Sequence, residues 1–217
     1  MVEGTGEEKV LNSHEKEWEY VEKLFKESGK DTFGGGSICD YPFRSRFEHT
    51  KRVYRWLHRL LDDVGAVDLV AMELAIIFHD VGYVKGENAG HAAVSADIFK
   101  EYALKNALFP EKQDLIEYLI RNHNKKDLLR RGEKDELILI MEADIMDEEG
   151  AMRVAWDNMA AGVIGVKSFK ESLNRTEKYF NPQYNPMVTP LAHDLFEDKQ
   201  QFVRDYIKRM KEDLGEI

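Results

Sequence analysis

His79 and Asp80 stand side by side where an apolar run stops. The run Leu69-Val70-Ala71-Met72-Glu73-Leu74-Ala75-Ile76-Ile77-Phe78 leads straight into them, with Gly82 close behind. A helix that is apolar on nearly every side packs inside a protein. Charge at its end is costly unless it is paired or coordinates a metal. An imidazole beside a carboxylate suits a divalent cation, which would offset that cost. Side chains of the same chemistry lie to either side: His49 upstream, and His91, His123 and Asp144 downstream. A second pair, His193-Asp194, is followed by Glu197, Asp198 and Lys199. It lacks an apolar approach and reads as a cap and surface feature.

Helices must converge to bring these groups together. Apolar residues at helical spacing predict a helix from Arg44 to Val64, with Val53, Leu57, Leu60, Leu61 and Val64 inward and His58 at the stripe's edge. Continued back, the stripe reaches Thr50, His49 and Arg46, so the buried face turns polar at its N-terminal end. Arg46 admits two readings, a salt bridge to a carboxylate or a bidentate hold on a substrate phosphate. The next helix ends at His79-Asp80, and a polar loop from Tyr83 to Gly90 carries Lys85. A helix from Gly90 to Asn106 has His91 in its first turn, with Ala93, Ile98 and Tyr102 inward. Another starts at Pro110, turns Leu115, Tyr118, Leu119 and Ile120 inward and brings His123 to its end. Lys125, Lys126, Arg130 and Arg131 follow, either as a solvated loop or as a lid that meets substrate phosphates. From Lys134 to Asp147 the run Leu137-Ile138-Leu139-Ile140-Met141 is apolar all round and leads into Glu142, Asp144 and Asp147.

The flanks complete the bundle. A helix from His14 to Ser28 turns Trp18, Val21, Leu24 and Phe25 inward and stops at Gly29, with His14 expected in solvent. Gly34-Gly35-Gly36 and Pro42 mark a connection. Glu148 and Glu149 are expected to face solvent, and helices are expected over Gly150 to Gly162 and Lys167 to Tyr179. A last helix runs from Pro190 to Leu214, with Leu195, Phe202, Tyr206 and Met210 inward. No alternating strand pattern of length is present. The expected fold is all-α: a flexible stretch over 1–12, then one helical domain over 13–217, its core at about 40–165 and closing helices at 167–217.

His49 in Arg46-Phe47-Glu48-His49-Thr50, the pair His79-Asp80, His91 in Gly90-His91-Ala92-Ala93, His123 in Arg121-Asn122-His123-Asn124, and Asp144 in Glu142-Ala143-Asp144 give the order H…HD…H…H…D. In this the chain resembles the HD-domain superfamily of metal-dependent phosphohydrolases, and is most similar to its small stand-alone branch acting on nucleotides. The resemblance implies a helical bundle of roughly eight helices around a divalent ion such as manganese, iron, nickel or zinc. It implies His49, His79, Asp80 and Asp144 as ligands to one ion. His91 and His123 would then hold a second ion bridged by Asp80, or hold or protonate the leaving oxygen. Asp80, His91, His123 and Arg46 would be the catalytic group, and Arg46, Lys85 and Lys126 the contacts to a small phosphorylated substrate. Other branches keep three alternatives open: a di-iron oxygenase, a cyclic-dinucleotide phosphodiesterase and a non-catalytic nucleotide-binding module. The Gly-Tyr-Pro sequence that marks the phosphodiesterases is absent, since Asn124-Lys125-Lys126-Asp127 follows His123.

Composition narrows the classes further. A net charge of -10 argues against general nucleic-acid binding, while a metal could supply positive charge locally for a small phosphate. The contents of 43% hydrophobic and 33% charged residues suit a soluble globular chain. No apolar run is long enough to span a membrane, and Met1 to Lys9 lacks the order of a signal peptide. One cysteine, Cys39, permits no intrachain disulfide, in keeping with an expected cytoplasmic setting.

Overall fold

A computed structural model describes residues 14–32, 43–85 and 90–217. The expected flexible stretch 1–12, the triple glycine with Pro42, and residues 86–89 of the Tyr83 to Gly90 loop lie outside the described residues. The fold is all-α. Among the described residues the helices are α1 (Glu15–Ser28), α2 (Arg46–Leu60), α3 (Leu69–Phe78), α4 (His91–Asn106), α5 (Gln113–Asn122), α6 (Asp135–Asp147), α7 (Ala151–Val163), α8 (Phe169–Tyr179) and α9 (Pro190–Asp213). Short 3-10 turns cover Leu61–Asp63, Val81–Lys85, Pro110–Lys112 and Lys126–Arg130. The chain divides into two compact units, one closing at Ala143 and the other comprising Asp144–Ile217.

In the first unit α3 is the central element. Every residue from Ala71 to Phe78 is buried, Glu73 included, and α1, α2, α4 and α5 all pack against it. The helix starts at Asp68, whose side chain accepts a hydrogen bond from the Ala71 amide and also pairs with Lys112. Such a cap satisfies an amide that the first turn leaves without an intrahelical partner. Ser45 caps α2 in the same way, accepting from the Glu48 amide.

The predicted register of α4 needs correction. His91, Ala92, Ser95, Ala96, Phe99, Tyr102 and Ala103 are buried, whereas Ala93 is exposed and Ile98 only half-buried. Small residues make this inward face, so an apolar stripe underreports it. In α5 the buried set is Ile116, Leu119 and Ile120, with Leu115 and Tyr118 half-buried.

His14 is a second correction. It is buried rather than solvated, and its Nε2 lies 3.0 Å from Glu73 Oε2. His58 Nε2 lies 3.0 Å from the other oxygen, Oε1. Burial alone would raise the Glu73 pKa, but hydrogen bonds from His14, His58 and Tyr54 and the charge of His14 hold it at about 2, below its ordinary 4.5. The folded value is the lower one, so this group's stabilisation is complete above about pH 4.5 and is lost as pH falls towards 2. Glu73→Ala should destabilise the fold by about 3 kcal/mol, because it leaves two imidazoles and a phenol around an empty place. Thermal unfolding should shift down by roughly 6–12 °C for a chain of this size. A shift within 1 °C or so, on the same scale, would mean that the cluster does not hold α1 to α3.

In the second unit α7, α8 and α9 pack on one another. The inward face of α9 is Ala192, Phe196, Gln200 and Val203. Phe202, expected inward, is 47% exposed, which rotates the stripe by one residue. Glu149 is buried, not solvent-facing. Arg153 Nη1 lies 3.2 Å from its Oε1, and Lys199 Nζ donates to its carbonyl at 3.2 Å. His193 and Asp194 are exposed, as expected of a surface pair.

Candidate metal centre

Two helices of the first unit end in the same device. His79 is the C-cap residue of α3 and His123 that of α5. Each ring turns back on its own helix: His79 Nδ1 lies 2.7 Å from the Ile76 carbonyl, and His123 Nδ1 lies 2.7 Å from the Ile120 carbonyl. A carbonyl only accepts, so each Nδ1 carries the proton. Both Nε2 atoms then face inward, towards Asp80. Fixing the tautomer through Nδ1 leaves a lone pair at Nε2 for a cation when the ring is neutral.

Asp80 is the hub. Its Oδ1 lies 3.6 Å from His79 Nε2, 3.5 Å from His91 Nε2 and 3.6 Å from His123 Nε2. Its Oδ2 meets Arg46 Nη1 at 3.1 Å and lies 3.8 Å from His49 Nε2. The rings of His49 and His79 have centroids 5.5 Å apart, and His91 Nε2 lies 3.2 Å from His123 Nε2. All six side chains are buried. Burial would push the Asp80 carboxyl up, yet the charge of His79, a hydrogen bond from His123 and the charges of Arg46 and His49 hold it well below the ordinary carboxylate range. Positive charge is therefore what this pocket wants around a fixed anion.

His79, Asp80 and His123 each offer a ligand atom, all within 4.8 Å of one another. Lone-pair nitrogens and a carboxylate directed at one point are a donor set that fits a first-row divalent ion. The structure thus brings together His49, His79, Asp80, His91 and His123 of the H…HD…H…H…D order. The sixth, Asp144, is the first residue of the second unit, half-buried on the continuous helix α6. Arg46 makes the salt bridge to a carboxylate that is one of its two readings, with Asp80 as the partner. Lys85 is exposed at the end of a 3-10 turn. Lys126 Nζ donates to the Met141 carbonyl at 3.4 Å, within a basic stretch that forms a 3-10 turn rather than an open loop.

Tyr83 belongs to the site and was not singled out from the sequence. Its only sequence signal is an aromatic residue three places after Asp80, on a turn that Gly82 allows to pack closely.

Residues 46–149 match the HD domain family. This stretch is an HD domain. The match begins at Arg46 and takes in the whole centre. Solved structures share the fold. YpgQ from Bacillus subtilis is 18% identical, with a TM-score of 0.65 over 94% of this chain and 97% of that one. An HD-superfamily hydrolase from Bacillus thuringiensis is 20% identical, with a TM-score of 0.65 over 96% and 98%. The Lin1889 protein from Listeria innocua is 16% identical, with a TM-score of 0.63 over 98% and 99%. No curated protein matches the sequence. HD domains bind divalent metals, and the buried cluster of this one has the side chains to do so. Among the described residues no helix is long and apolar enough to cross a membrane.

Proposed function

We propose that this HD-domain protein is a divalent-metal-dependent phosphohydrolase acting on a small phosphorylated substrate, a nucleotide above other classes. One observation carries the reading: His79 and His123, each locked by Nδ1 on a backbone carbonyl, turn Nε2 onto the buried carboxylate of Asp80. The Bacillus thuringiensis neighbour is an HD-superfamily hydrolase, which supports the reaction class.

Within this reading His49, His79, Asp80 and Asp144 hold the ion, with Asp144 assigned from its place in the sequence order. A bound divalent ion supplies an acidified water and a polarised phosphoryl oxygen. Arg46 holds a phosphate through its planar fork, with Lys85 and Lys126 as further cationic contacts. His91 and His123 hold the leaving oxygen or give it a proton, or else hold a second ion. Pyrophosphate release from a nucleoside triphosphate is preferred over release of a terminal phosphate. The setting proposed is the cytoplasm.

The test is elemental analysis of protein purified without chelator, beside phosphate and pyrophosphate release from a nucleotide panel with manganese. About one or two ions per chain with release is the expected result. Two irons without release would replace this reading by the oxygenase. Neither metal nor release after reconstitution would leave a nucleotide-binding module.

A further inference from the structure

Three residues around Asp80 form a stack whose role the ligand pattern does not explain. The Tyr83 ring lies nearly parallel to His91, with centroids 4.3 Å apart and an angle of 13° between planes. The Arg46 guanidinium carbon lies 3.8 Å from the centroid of the same ring. Two groups this close to one ring cannot share a face, so the tyrosine stands between the guanidinium and the imidazole. Tyr83 itself is buried. Its place is set by the turn Val81–Lys85, which packs on α4 and is pinned where the Gly82 amide donates to Ser95 Oγ at 2.8 Å.

The consequence for Arg46 is geometric. An arginine side chain has several rotatable bonds and costs up to about 2 kcal/mol to immobilise. Set over an aromatic face, the guanidinium gains a cation–π attraction and leaves its N–H edge to polar partners. One N–H already meets Asp80 Oδ2 at 3.1 Å, so that edge points at the centre. The imidazole of His91, held on the other face, keeps Nε2 towards Asp80 Oδ1 at 3.5 Å. A single ring thus sets the place of a cation and the plane of an imidazole on the same carboxylate.

We propose that Tyr83 is a positioning residue that fixes Arg46 as the site's anion clamp, with the ring face rather than the hydroxyl as the acting part. This rests on the phosphohydrolase reading for the identity of the anion, a phosphate group. It is independent of which nucleotide is cleaved.

The probe is inorganic phosphate, titrated by calorimetry into manganese-loaded protein, with manganese affinity measured separately. Tyr83→Phe keeps the face and should leave phosphate affinity within about twofold, while Tyr83→Leu should weaken it about thirtyfold, the scale of a desolvated cation–π contact. Manganese affinity should change less than phosphate affinity in both. In an Arg46→Ala background the Tyr83→Leu effect should vanish, since coupled residues are not additive. A merely structural role predicts instead an undiminished loss in that background, and that result would overturn the proposal. So would a Tyr83→Phe loss equal to that of Tyr83→Leu, or wild-type protein that binds manganese but no phosphate. Wild-type protein that binds phosphate yet cleaves no nucleotide would count against the phosphohydrolase reading and leave the clamp standing.

Discussion

Replacing Asp80 by Ala should remove the metal and the turnover together. Arg46, His49, His79, His91 and His123 all converge on this carboxylate. Changing only an outer partner of a metal ligand costs 10- to 100-fold in affinity, so loss of a central ligand should exceed about a hundredfold. Turnover should fall by more than about a thousandfold, equivalent to roughly 4 kcal/mol of barrier. Stability should suffer too. Breaking a buried ion pair by removing one partner costs about 3–5 kcal/mol, so unfolding must be followed beside activity. Asp80→Asn separates the two, because it keeps the shape and loses the charge. The wild-type carboxyl is held below its ordinary 3.8 in the fold, so its stabilisation is present above that pH and lost as acid protonates it. Asp80→Asn should therefore be less acid-sensitive than wild type. Full activity in Asp80→Ala would sink the assignment of the centre. His193→Ala, at the exposed second pair, should leave turnover intact, and a collapse there would mean that the chemistry belongs to the other histidine.

How much of this was legible in the sequence depends on the kind of evidence each residue offers. The imidazoles of His79 and His123 were readable because each stands at the end of a helix, His79 after an apolar run and His123 after an amphipathic stretch whose inward face ends at Ile120. The helices themselves were readable for the same reason, and their bounds differ from expectation by only a few residues: α2 begins at Arg46 rather than Arg44 and gives way to a 3-10 turn at Leu61. Faces built from small or polar residues were misread. In α4 the stripe passes through Ala92, Ser95 and Ala96, and in α9 through Gln200 and Val203, so the apolar pattern alone pointed one position aside, to Ala93 and Phe202. His14 was misread because its partner Glu73 is 59 residues away, beyond any local pattern. Glu149 pairs with Arg153 four residues on, but Lys199, which donates to its carbonyl, is 50 residues away and equally out of reach of a local pattern. Tyr83 was invisible as a site residue because stacking depends on how a turn leans on a helix, which no periodicity records.

Gly82→Ala should be the most damaging single-atom addition in the first unit. A Cβ at this position would stand 2.1 Å from the His91 carbonyl oxygen, 2.8 Å from the Ser95 amide nitrogen and 2.9 Å from the His91 carbonyl carbon. All three are backbone atoms of the first two turns of α4, so no side chain can swing aside. Either the turn Val81–Lys85 moves off α4 or α4 moves from the centre. Overpacking of this kind costs about 1–3 kcal/mol where neighbours can adjust and more where they cannot, so about 3 kcal/mol or more is expected. The site should suffer beyond that loss, because the same shift separates Tyr83 from His91 and carries Asp80, two residues before Gly82, away from the imidazoles. Metal affinity should therefore fall even at temperatures where the variant remains folded. Ser95→Ala is the matched comparison. It removes one hydrogen bond to the Gly82 amide without adding an atom, and should cost about 1 kcal/mol with metal affinity within a few-fold of wild type. Circular dichroism melts with manganese titrations on both variants decide the matter. A Gly82→Ala protein with wild-type stability and metal affinity would show that the turn does not press on α4, and the placement of Tyr83 against His91 would fall with it.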